Sequence, residues 1–370
     1  MTVKATAFYQ QLLFDEFVGQ YGQHLPKTRL FELSLPWLSA TECLLRATNK
    51  QVIVHCLFEG EPDNSSRLIV AWPLLHITAK KTKKITIQSL SSCYSTIAEP
   101  FYFTPPMAHQ LSQLVFYVAR ENAWTSMLLG PLDDDVFGHT IDRYFPHKRL
   151  FLTSENCYQS KLTSFSDYYQ QLPSQLINTV KRRSKKLNAF NYYHTEIISA
   201  QNDIIKALVT YRHIYQKSWK GHELSYRFIE QVCVLASVED KCRLGVLWVN
   251  EKPVAVQIWF IQEDEQRQKT ASIFKLAYDP DYQKFSVGSI LSMALSEYVI
   301  TQDQVNTIEF GMGSEPYKKD WLKEQKFRHT YQVFNCDNIY GKLANIRFAV
   351  LPRLAHRLIR KRRNDTEPNN

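Results

Sequence analysis

The first half of the chain alternates apolar, β-branched runs with polar turns. Residues 51–58 (QVIVHCLF) and 67–77 (RLIVAWPLLHI) are separated by GEPDNSS, a run typical of turns, and together they predict a β-hairpin. A basic run, KKTKK, leads into a third predicted strand over 84–91, and apolar residues at helical spacing predict a helix over 109–122. A further strand is predicted after Trp124. The predicted order is therefore hairpin, strand, helix and strand.

The second half repeats this order of elements with negligible sequence identity to the first. CRLGVLWV (242–249) and VAVQIWFIQ (254–262) predict a second hairpin. The elements predicted after it are a third strand at 270–278, a helix beginning within 286–289, a short strand at 307–311 and a helix or turn at 316–326. Residues 164–190 and 203–219, between the two halves, are predicted to be mainly helical. The sequence therefore favours an α/β protein of two units with similar topology.

Length and composition agree with two globular units. A chain of 370 residues exceeds the usual size of one core, and a content of 44% hydrophobic and 13% aromatic residues is enough to fill two. We predict a first unit over residues 1–160 and a second unit over 161–336. A basic C-terminal helix and tail are predicted over 337–370.

The net charge of +9 is concentrated near the C-terminus. Residues 342–363 contain eight lysine and arginine residues and no acid, so the rest of the chain is nearly neutral. Apolar residues recur at helical spacing from Tyr340 onward, and Pro352 is expected to kink this helix. Such a segment can lie on an anionic membrane, contact RNA, dock on a partner, or pack as a terminal helix with a basic end. The sequence leaves these alternatives open.

The cysteine pattern predicts reduced thiols and no metal site. The seven cysteines are scattered singly, without CxxC or another metal-ligand spacing. No stretch reaches the roughly 18 uncharged apolar residues that a membrane span requires, and polar residues interrupt the apolar N-terminus, so neither a transmembrane segment nor a signal peptide is predicted. We expect a cytoplasmic protein, with peripheral association at the inner face of the membrane through 342–363 as an option.

The stretch YDPDYQKFSVGSILSMALSEY (278–298) joins a predicted strand to a predicted helix. The first turn of that helix would present unpaired N–H groups, and the helix dipole favours an anion there. Gly288 would let a ligand approach the backbone closely, and a pyrophosphate fits such a site. An ordinary serine-capped helix that tolerates Gly288 explains the local pattern as well, because one glycine is not a phosphate-binding fingerprint.

The second half resembles the acetyltransferase-like domain of the GNAT superfamily, in the branch named for bacterial cellulose-biosynthesis acetyltransferases. In that branch a strand ends in Tyr-Asp, a helix starts with a Ser-Pro-Gly-type sequence, and a later strand ends in Phe-Gly-x-Gly-x-x-x-Tyr-Lys. The matching positions here are Tyr278-Asp279, Ser286-Val287-Gly288 and FGMGSEPYK at 310–318, with Val287 in place of the usual proline. The basic stretch VKRRSKKL (180–187) looks like the arginine-rich helix that heads this domain. The resemblance covers about residues 165–330.

The resemblance implies two tandem GNAT-like units, the first of them degenerate, each a mixed and mostly antiparallel sheet flanked by helices. It implies an acyl-CoA donor, most simply acetyl-CoA, with its pyrophosphate on the loop 284–289 and its pantetheine arm along the strand end 275–278. The implied donor-binding residues are Lys275, Leu276, Ala277, Tyr278, Lys284, Phe285, Ser286, Val287, Gly288 and Ser289. Fem-type peptidoglycan transferases are similar in having two such units but use aminoacyl-tRNA, so a tRNA-borne donor stays open.

Acyl transfer needs a base for the acceptor, donors for the developing oxyanion and an acid for the thiolate. The segment FGMGSEPYKKDW offers Glu315 as base, Tyr317 as acid and Lys318 as a phosphate or oxyanion contact. Resemblance supports Tyr317 and Lys318 as motif positions, whereas the roles are inferred from their chemistry. Alternatively, Tyr317 packs under the donor loop, Glu315 caps a helix and Lys318 is solvated. Asp279 is a secondary carboxylate candidate, although a residue before proline commonly shapes a turn.

Lys181, Arg182 and Arg183 can hold an anionic acceptor or the remaining phosphate of the donor, or form a solvated helix face. Three functions remain in competition. The first is acyl-CoA-dependent N- or O-acyl transfer to a small-molecule, glycan or cell-envelope-related acceptor. The second is a Fem-like transferase that binds aminoacyl-tRNA through the basic helix and tail. The third is a non-catalytic binding or scaffold protein that uses the tail 342–363.

Overall fold

The computed structural model describes residues 7–60, 67–120, 123–313, 315–352 and 354. Contacts between residues divide this part of the chain into two units. The first unit contains residues 7–26, 45–153 and 328–354, and the second contains 27–44 and 154–327, with the gaps just given. Each unit has a mixed sheet flanked by helices, which confirms the predicted α/β class.

The chain forms strands and helices along its whole described length. The strands are β1 (Ala7–Leu13), β2 (Lys50–Glu59), β3 (Arg67–Thr78), β4 (Ile85–Ser89), β5 (Phe101–Tyr102), β6 (Ser126–Leu132), β7 (Lys148–Gln159), β8 (Tyr193–Ile198), β9 (Cys242–Val249), β10 (Lys252–Glu263), β11 (Lys269–Tyr278), β12 (Thr307–Met312) and β13 (Glu324–Phe334). The α-helices are α1 (Phe14–Tyr21), α2 (Leu35–Leu45), α3 (Ala108–Arg120), α4 (Asp135–Tyr144), α5 (Phe165–Gln171), α6 (Ser174–Phe190), α7 (Gln201–Lys217), α8 (Tyr226–Val238), α9 (Val287–Thr301), α10 (Pro316–Trp321) and α11 (Ile339–Asn345). Short 3-10 helices lie at Gly22–His24, Phe31–Leu33 and Pro280–Phe285, and a π-helix lies at Ile346–Val350.

The sheet of the first unit has the strand order β1-β2-β3-β4-β6-β13, with β5 beside β3. β4 and β6 are parallel, and the other neighbouring strands are antiparallel. Apolar residues of α3 and α4 pack on this sheet around Trp72 and Phe137. The predicted hairpin, strand, helix and strand are therefore confirmed as β2–β3, β4, α3 and β6.

The sheet of the second unit repeats this arrangement in the order β8-β9-β10-β11-β12-β7. Its one parallel pair is β11 and β12, which are joined through α9. The apolar residues at helical spacing in α9, such as Val287, Leu291 and Leu295, are fully buried in the core of this unit. The predicted repeat of element order is therefore confirmed, and α9 begins where a helix start was predicted.

Each sheet is completed by a strand from the other half of the sequence. β7 follows β6 along the chain, yet its residues 156–159 pair with β12. β13 follows β12, yet its residues 329–334 pair with β6. This pairing, together with the assignment of residues 27–44 to the second unit, makes the two units discontinuous in sequence, unlike the predicted limits 1–160, 161–336 and 337–370. As functional divisions of the chain, those limits stay a prediction.

Within the described ranges, no helix is both long and apolar enough to cross a membrane. The helical pattern predicted from Tyr340 appears as α11 and the following π-helix. Arg353 and all residues beyond Leu354 lie outside the described residues, so the contacts of the basic segment with membrane, RNA or a partner stay predictions.

Candidate functional site

β11 and β12 separate from each other partway along their length. They pair in parallel from Thr270 opposite Thr307 to Ile273 opposite Phe310, and the described ladder stops there. β11 continues along β10 as far as Tyr278, while β12 continues along β7. On the side away from β10, residues 276–278 thus have no ladder partner among the described strands, whereas Phe274 and Lys275 make further contacts. This free strand edge can hydrogen-bond an extended ligand that carries amide groups.

A β-bulge lies at the point where the two strands separate. Lys275 pairs with Ile258 of β10, but Ile273 pairs with Trp259, so Phe274 is an extra residue on β11. A bulge bends its strand and increases the local twist. The bulge therefore accounts for the divergence of β11 from β12.

The free edge of β11 leads directly to the N-terminus of α9. After the 3-10 helix at Pro280–Phe285, Ser286 adopts a left-handed conformation with φ of 53°, and no side chain caps α9. Hydrogen bonds from the Gln257 amide to Gly288 O at 3.0 Å and Ser292 Oγ at 2.8 Å fix the first turn of the helix. The N–H of Ser289 donates to Ser286 O at 3.0 Å, so the earlier N–H groups of Val287 and Gly288 are the ones that can bind an anion.

Packing within the chain does not require a glycine at position 288. A Cβ atom there would lie 3.4 Å from Cδ1 of Tyr278, which is an ordinary van der Waals distance. The open approach to the backbone is what distinguishes Gly288 from a larger residue. Phe285 and Val287, also predicted to bind the donor, have buried side chains, so only their backbone can contact a ligand.

Arg183 connects the basic helix α6 to this loop. Its guanidinium donates a hydrogen bond to the carbonyl of Lys284 at 2.6 Å. The neighbouring Lys181 and Arg182 are exposed on the same helix. Of the three basic residues predicted to contact acceptor or phosphate, Arg183 is therefore the one that the structure brings to the predicted donor loop.

Asp279 is held by contacts that shape this loop. Its carboxylate accepts a hydrogen bond from the N–H of Asp281 at 3.1 Å and pairs with Lys252 at 3.2 Å. Its side chain is almost completely buried. These contacts match the turn-forming alternative given for Asp279, and they leave it less suited than Glu315 to accept a proton from an acceptor.

The Lys318 ammonium donates hydrogen bonds to backbone carbonyls at the end of β12. Its Nζ lies 3.2 Å from Gly311 O, 2.5 Å from Met312 O and 3.3 Å from Gly313 O, and 2.9 Å from Glu315 Oε2. The Lys318 side chain is buried, so neither solvation nor an open phosphate contact describes it. Because these four oxygens exceed the three protons of an ammonium, Lys318 orders this turn instead.

Glu315 and Tyr317 stand on the turn that Lys318 orders. Partial burial by itself would raise the pKa of Glu315. The hydrogen bond and charge of Lys318 and the charge of Lys220 lower this pKa by more, so the pKa of Glu315 lies below its ordinary value. Burial, and then the Glu315 carboxylate, raise the pKa of Tyr317 to about 12. At neutral pH the turn therefore presents a carboxylate that can accept a proton and a phenol that can donate one. Gly313, with φ of +114°, lets the chain turn there.

A second cluster, which the sequence did not reveal, surrounds Lys275. The Lys275 ammonium lies 2.9 Å from Oε2 of Glu223, a residue in the loop between α7 and α8. The Tyr211 hydroxyl donates to the same carboxylate oxygen at 2.8 Å, and Tyr215 is also hydrogen-bonded to Glu223. Lys275 was predicted to bind the donor, and the structure turns its side chain toward this loop.

Lys220 lies within electrostatic range of both clusters. Burial and then the charge of Lys275 lower its pKa, while Glu223 and Glu315 act in the opposite direction. Beside it, the Trp219 ring lies 4.3 Å from the ring of Tyr278 at the end of β11. The α7–α8 loop is thus attached to β11 at both Trp219 and Glu223, and the carboxylates of Glu223 and Glu315 share one neighbourhood.

The signal that could have found Glu223 is weak. It is a single acid in the sequence GHELSY, and its partner Lys275 is 52 residues away. Among the described residues, no group of three or more histidine, cysteine or acidic side chains could hold a metal ion. All seven cysteines are free thiols.

Comparisons with known proteins address this same region. Residues 174–319 match the family model described as "Acetyltransferase (GNAT) domain". A solved structure described as FemX aligns with 91% of this chain and 100% of its own, at a TM-score of 0.58 and 8% identity. A conserved protein of unknown function from Bacteroides thetaiotaomicron VPI-5482 aligns with 89% of this chain and 100% of its own, at a TM-score of 0.53 and 12% identity. A comparison with curated proteins found no significant match.

A tandem GNAT protein from the clavulanic acid biosynthesis pathway is also similar, over 88% of this chain and 98% of its own, at a TM-score of 0.45 and 10% identity. At such identities, likeness between structures concerns the fold and not the substrate. The matched segment lies within the 165–330 region in which the GNAT resemblance was predicted. The assignment to the cellulose-biosynthesis branch stays a prediction. Residues 174–319 therefore match a GNAT acetyltransferase domain, and the chain is similar in fold to the FemX structure.

Proposed function

We propose that this protein is an acyl-CoA-dependent acyltransferase that uses the second unit as its catalytic unit. The observation that carries this proposal is the edge of β11 at 276–278, which has no ladder partner among the described strands and leads into the uncapped N-terminus of α9. An acyl-CoA molecule has an extended arm with two amide groups and a pyrophosphate at one end. The strand edge complements the amides, and the helix N-terminus complements the pyrophosphate.

Each predicted donor-binding residue has a distinct part in this proposal. Leu276, Ala277 and Tyr278 offer backbone groups to the amide-bearing arm, which runs past Lys275 on the same strand. In the segment 284–289, the N–H groups of Val287 and Gly288 bind the pyrophosphate, whereas those of Ser286 and Ser289 already donate to Gln283 O and Ser286 O. Gly288 keeps that turn accessible. Arg183, already hydrogen-bonded to this loop, supplies positive charge beside it.

The turn after β12 supplies the groups for transfer. When acyl-CoA is bound, its thioester provides an activated acyl carbon. The Glu315 carboxylate accepts the proton of the acceptor amine or hydroxyl as the new bond to that carbon forms. The phenol of Tyr317 donates its proton to the sulfur as the carbon–sulfur bond breaks. Lys318 contributes by positioning these two residues through the carbonyl groups of β12.

The acceptor that we propose is an amine or hydroxyl on a polysaccharide or cell-envelope-related molecule. This follows from the resemblance to the cellulose-biosynthesis branch, and acetyl is proposed as the acyl group on the same basis. The protein would act in the cytoplasm or at the inner face of the membrane. Calorimetric titration with acetyl-CoA and CoA tests the donor, and saturable binding of both is expected.

A Fem-like transfer from aminoacyl-tRNA is the second candidate. The observation that favours it is the exposed basic face of α6, where Lys181, Arg182, Lys185 and Lys186 are all accessible. Phosphate contacts by such residues make nucleic-acid binding strongly dependent on salt. Tight, salt-dependent binding of aminoacyl-tRNA together with no binding of CoA would replace the first candidate with this one.

A further inference from the structure

The first unit contains a cavity of about 900 Å³ that has no part in the proposed transfer. It lies where β2 begins, β3 ends and β4 begins, and it includes the turn that connects β3 to β4. Ligand-binding pockets commonly have volumes of about 300 to 1,000 Å³. The cavity is therefore large enough for a small organic molecule.

The walls of this cavity are strongly basic. Lys50, at the start of β2, and Lys80 and Lys83, in the β3–β4 turn, line it. The lining residues of the described chain include no aspartate or glutamate. Within the described ranges, none of these three ammonium groups has an ion-pair partner. Three lysines without a carboxylate produce a positive potential that attracts anions.

A buried histidine pair forms one wall. His76 lines the cavity, and its Nε2 lies 3.1 Å from Nε2 of His55, which is completely buried. The other ring nitrogen of His55, Nδ1, lies 2.6 Å from the hydroxyl of Tyr9 on β1. One proton occupies the bond between the two facing nitrogens, so the two rings cannot both be cationic in this arrangement. The second ring nitrogen of His76, Nδ1, can then hydrogen-bond to a group outside the pair.

Burial keeps both histidines neutral at neutral pH. It lowers the pKa of His76 to about 4, and burial together with repulsion from His76 lowers the pKa of His55 well below its usual value. A dianion in the cavity would act in the opposite direction on His76.

We propose that this cavity is a binding site for a small phosphate-bearing molecule. The ammonium groups of Lys50, Lys80 and Lys83 bind the phosphate oxygens, and His76 donates a hydrogen bond to them. The side chains of Gln51 and Thr78, which also line the cavity, supply neutral hydrogen-bonding groups to the rest of the molecule. All of these residues belong to the first unit, so this proposal does not depend on acyl transfer in the second unit.

The test is a titration of the full-length protein, labelled with ¹⁵N at histidine, with glycerol phosphate and with inorganic phosphate. Ionic strength is kept constant with chloride, and acetate serves as the control anion. We expect saturable binding of glycerol phosphate, a shift of the His76 nitrogen resonances, and a higher pKa for His76 in the bound state. Inorganic phosphate is expected to cause the same shift with lower affinity.

Two single variants make the test specific, because the turn they lie in is exposed. Lys83→Ala should weaken binding by about tenfold or more, as loss of a hydrogen bond to a charged group requires. Lys81→Ala removes the same charge from the same turn, but Lys81 does not line the cavity, so binding should be unchanged. Equal loss in both variants, a response to acetate equal to that to phosphate, or no shift of His76 would overturn the proposal.

Discussion

The Lys275 ammonium lies 2.9 Å from the Glu223 carboxylate, with side chains that are 14% and 2% exposed. This ion pair joins the α7–α8 loop to β11, the strand along which the donor is proposed to bind. Removal of one partner leaves the other charge buried without compensation, which is costly, whereas removal of both is much less so.

The pair should therefore show strong coupling in stability. We expect Glu223→Gln to lower the free energy of unfolding by about 3 kcal/mol, because Lys275 loses its partner. The double variant Glu223→Gln with Lys275→Met should recover at least half of that loss. Urea denaturation of the four proteins of this cycle measures the coupling. Losses that simply add in the double variant would show that the pair does not anchor the loop.

Lys318 should contribute far more to the free energy of unfolding than the neighbouring Lys319. Lys318→Met removes the donor to three carbonyl groups and to Glu315, and we expect a loss of about 2 to 4 kcal/mol. Lys319, next in the chain, makes an exposed ion pair with Glu155 at 3.4 Å, so Lys319→Met should cost less than about 1 kcal/mol. Urea denaturation of both variants measures the difference. Similar values for the two would contradict the positioning role of Lys318.

The rate of acyl transfer should be independent of pH across the neutral range. The lowered pKa of Glu315 keeps this base ionised until the pH falls below the ordinary carboxyl range, and the raised pKa of Tyr317, about 12, keeps the acid protonated at high pH. A pH profile of kcat/KM for acetyl transfer to a test acceptor measures both limits. The acceptor must have no ionisation of its own in that range.

Glu315→Gln should lower kcat by about 10²- to 10⁴-fold while leaving the affinity for acyl-CoA unchanged. Tyr317→Phe should act on kcat in the same direction. Glu297→Gln, on the exposed side of α9, is the matched control and should have no effect. Transfer by Glu315→Gln at the rate of the unaltered protein would exclude Glu315 as the base.

Sequence patterns predicted the repeated order of elements because each hairpin and helix depends on local periodicity. The hairpins at β2–β3 and β9–β10, the helix α9 and the start of that helix near Ser286 all follow from residues close together in the chain. Nine elements were not predicted: the strands β1, β5, β7, β8 and β13 and the helices α1, α2, α4 and α8. The exchange of β7 and β13 between sheets depends on contacts far apart in sequence, which local patterns do not encode.

The same distinction holds for the candidate site. Gly288, Glu315, Tyr317 and Lys318 stand within short motifs and could be selected from the sequence. Glu223 could not, because it becomes notable only when folding brings it to Lys275. The buried pair of His55 and His76 was missed for the same reason, since the two residues meet only through the pairing of β2 with β3.

The most direct test of the central claim is a comparison of Gly288→Asp with Gly288→Asn in calorimetric titrations with acetyl-CoA. An acid in the first turn of a helix favours folding by about 0.3 to 1 kcal/mol, so the Asp variant should be at least as stable as the Asn variant. A negative charge at this point would nevertheless repel a pyrophosphate. We predict that the Asp variant binds acetyl-CoA at least about tenfold more weakly than the Asn variant of the same size. Equal and measurable binding by the two folded variants would contradict a donor pyrophosphate at the N-terminus of α9.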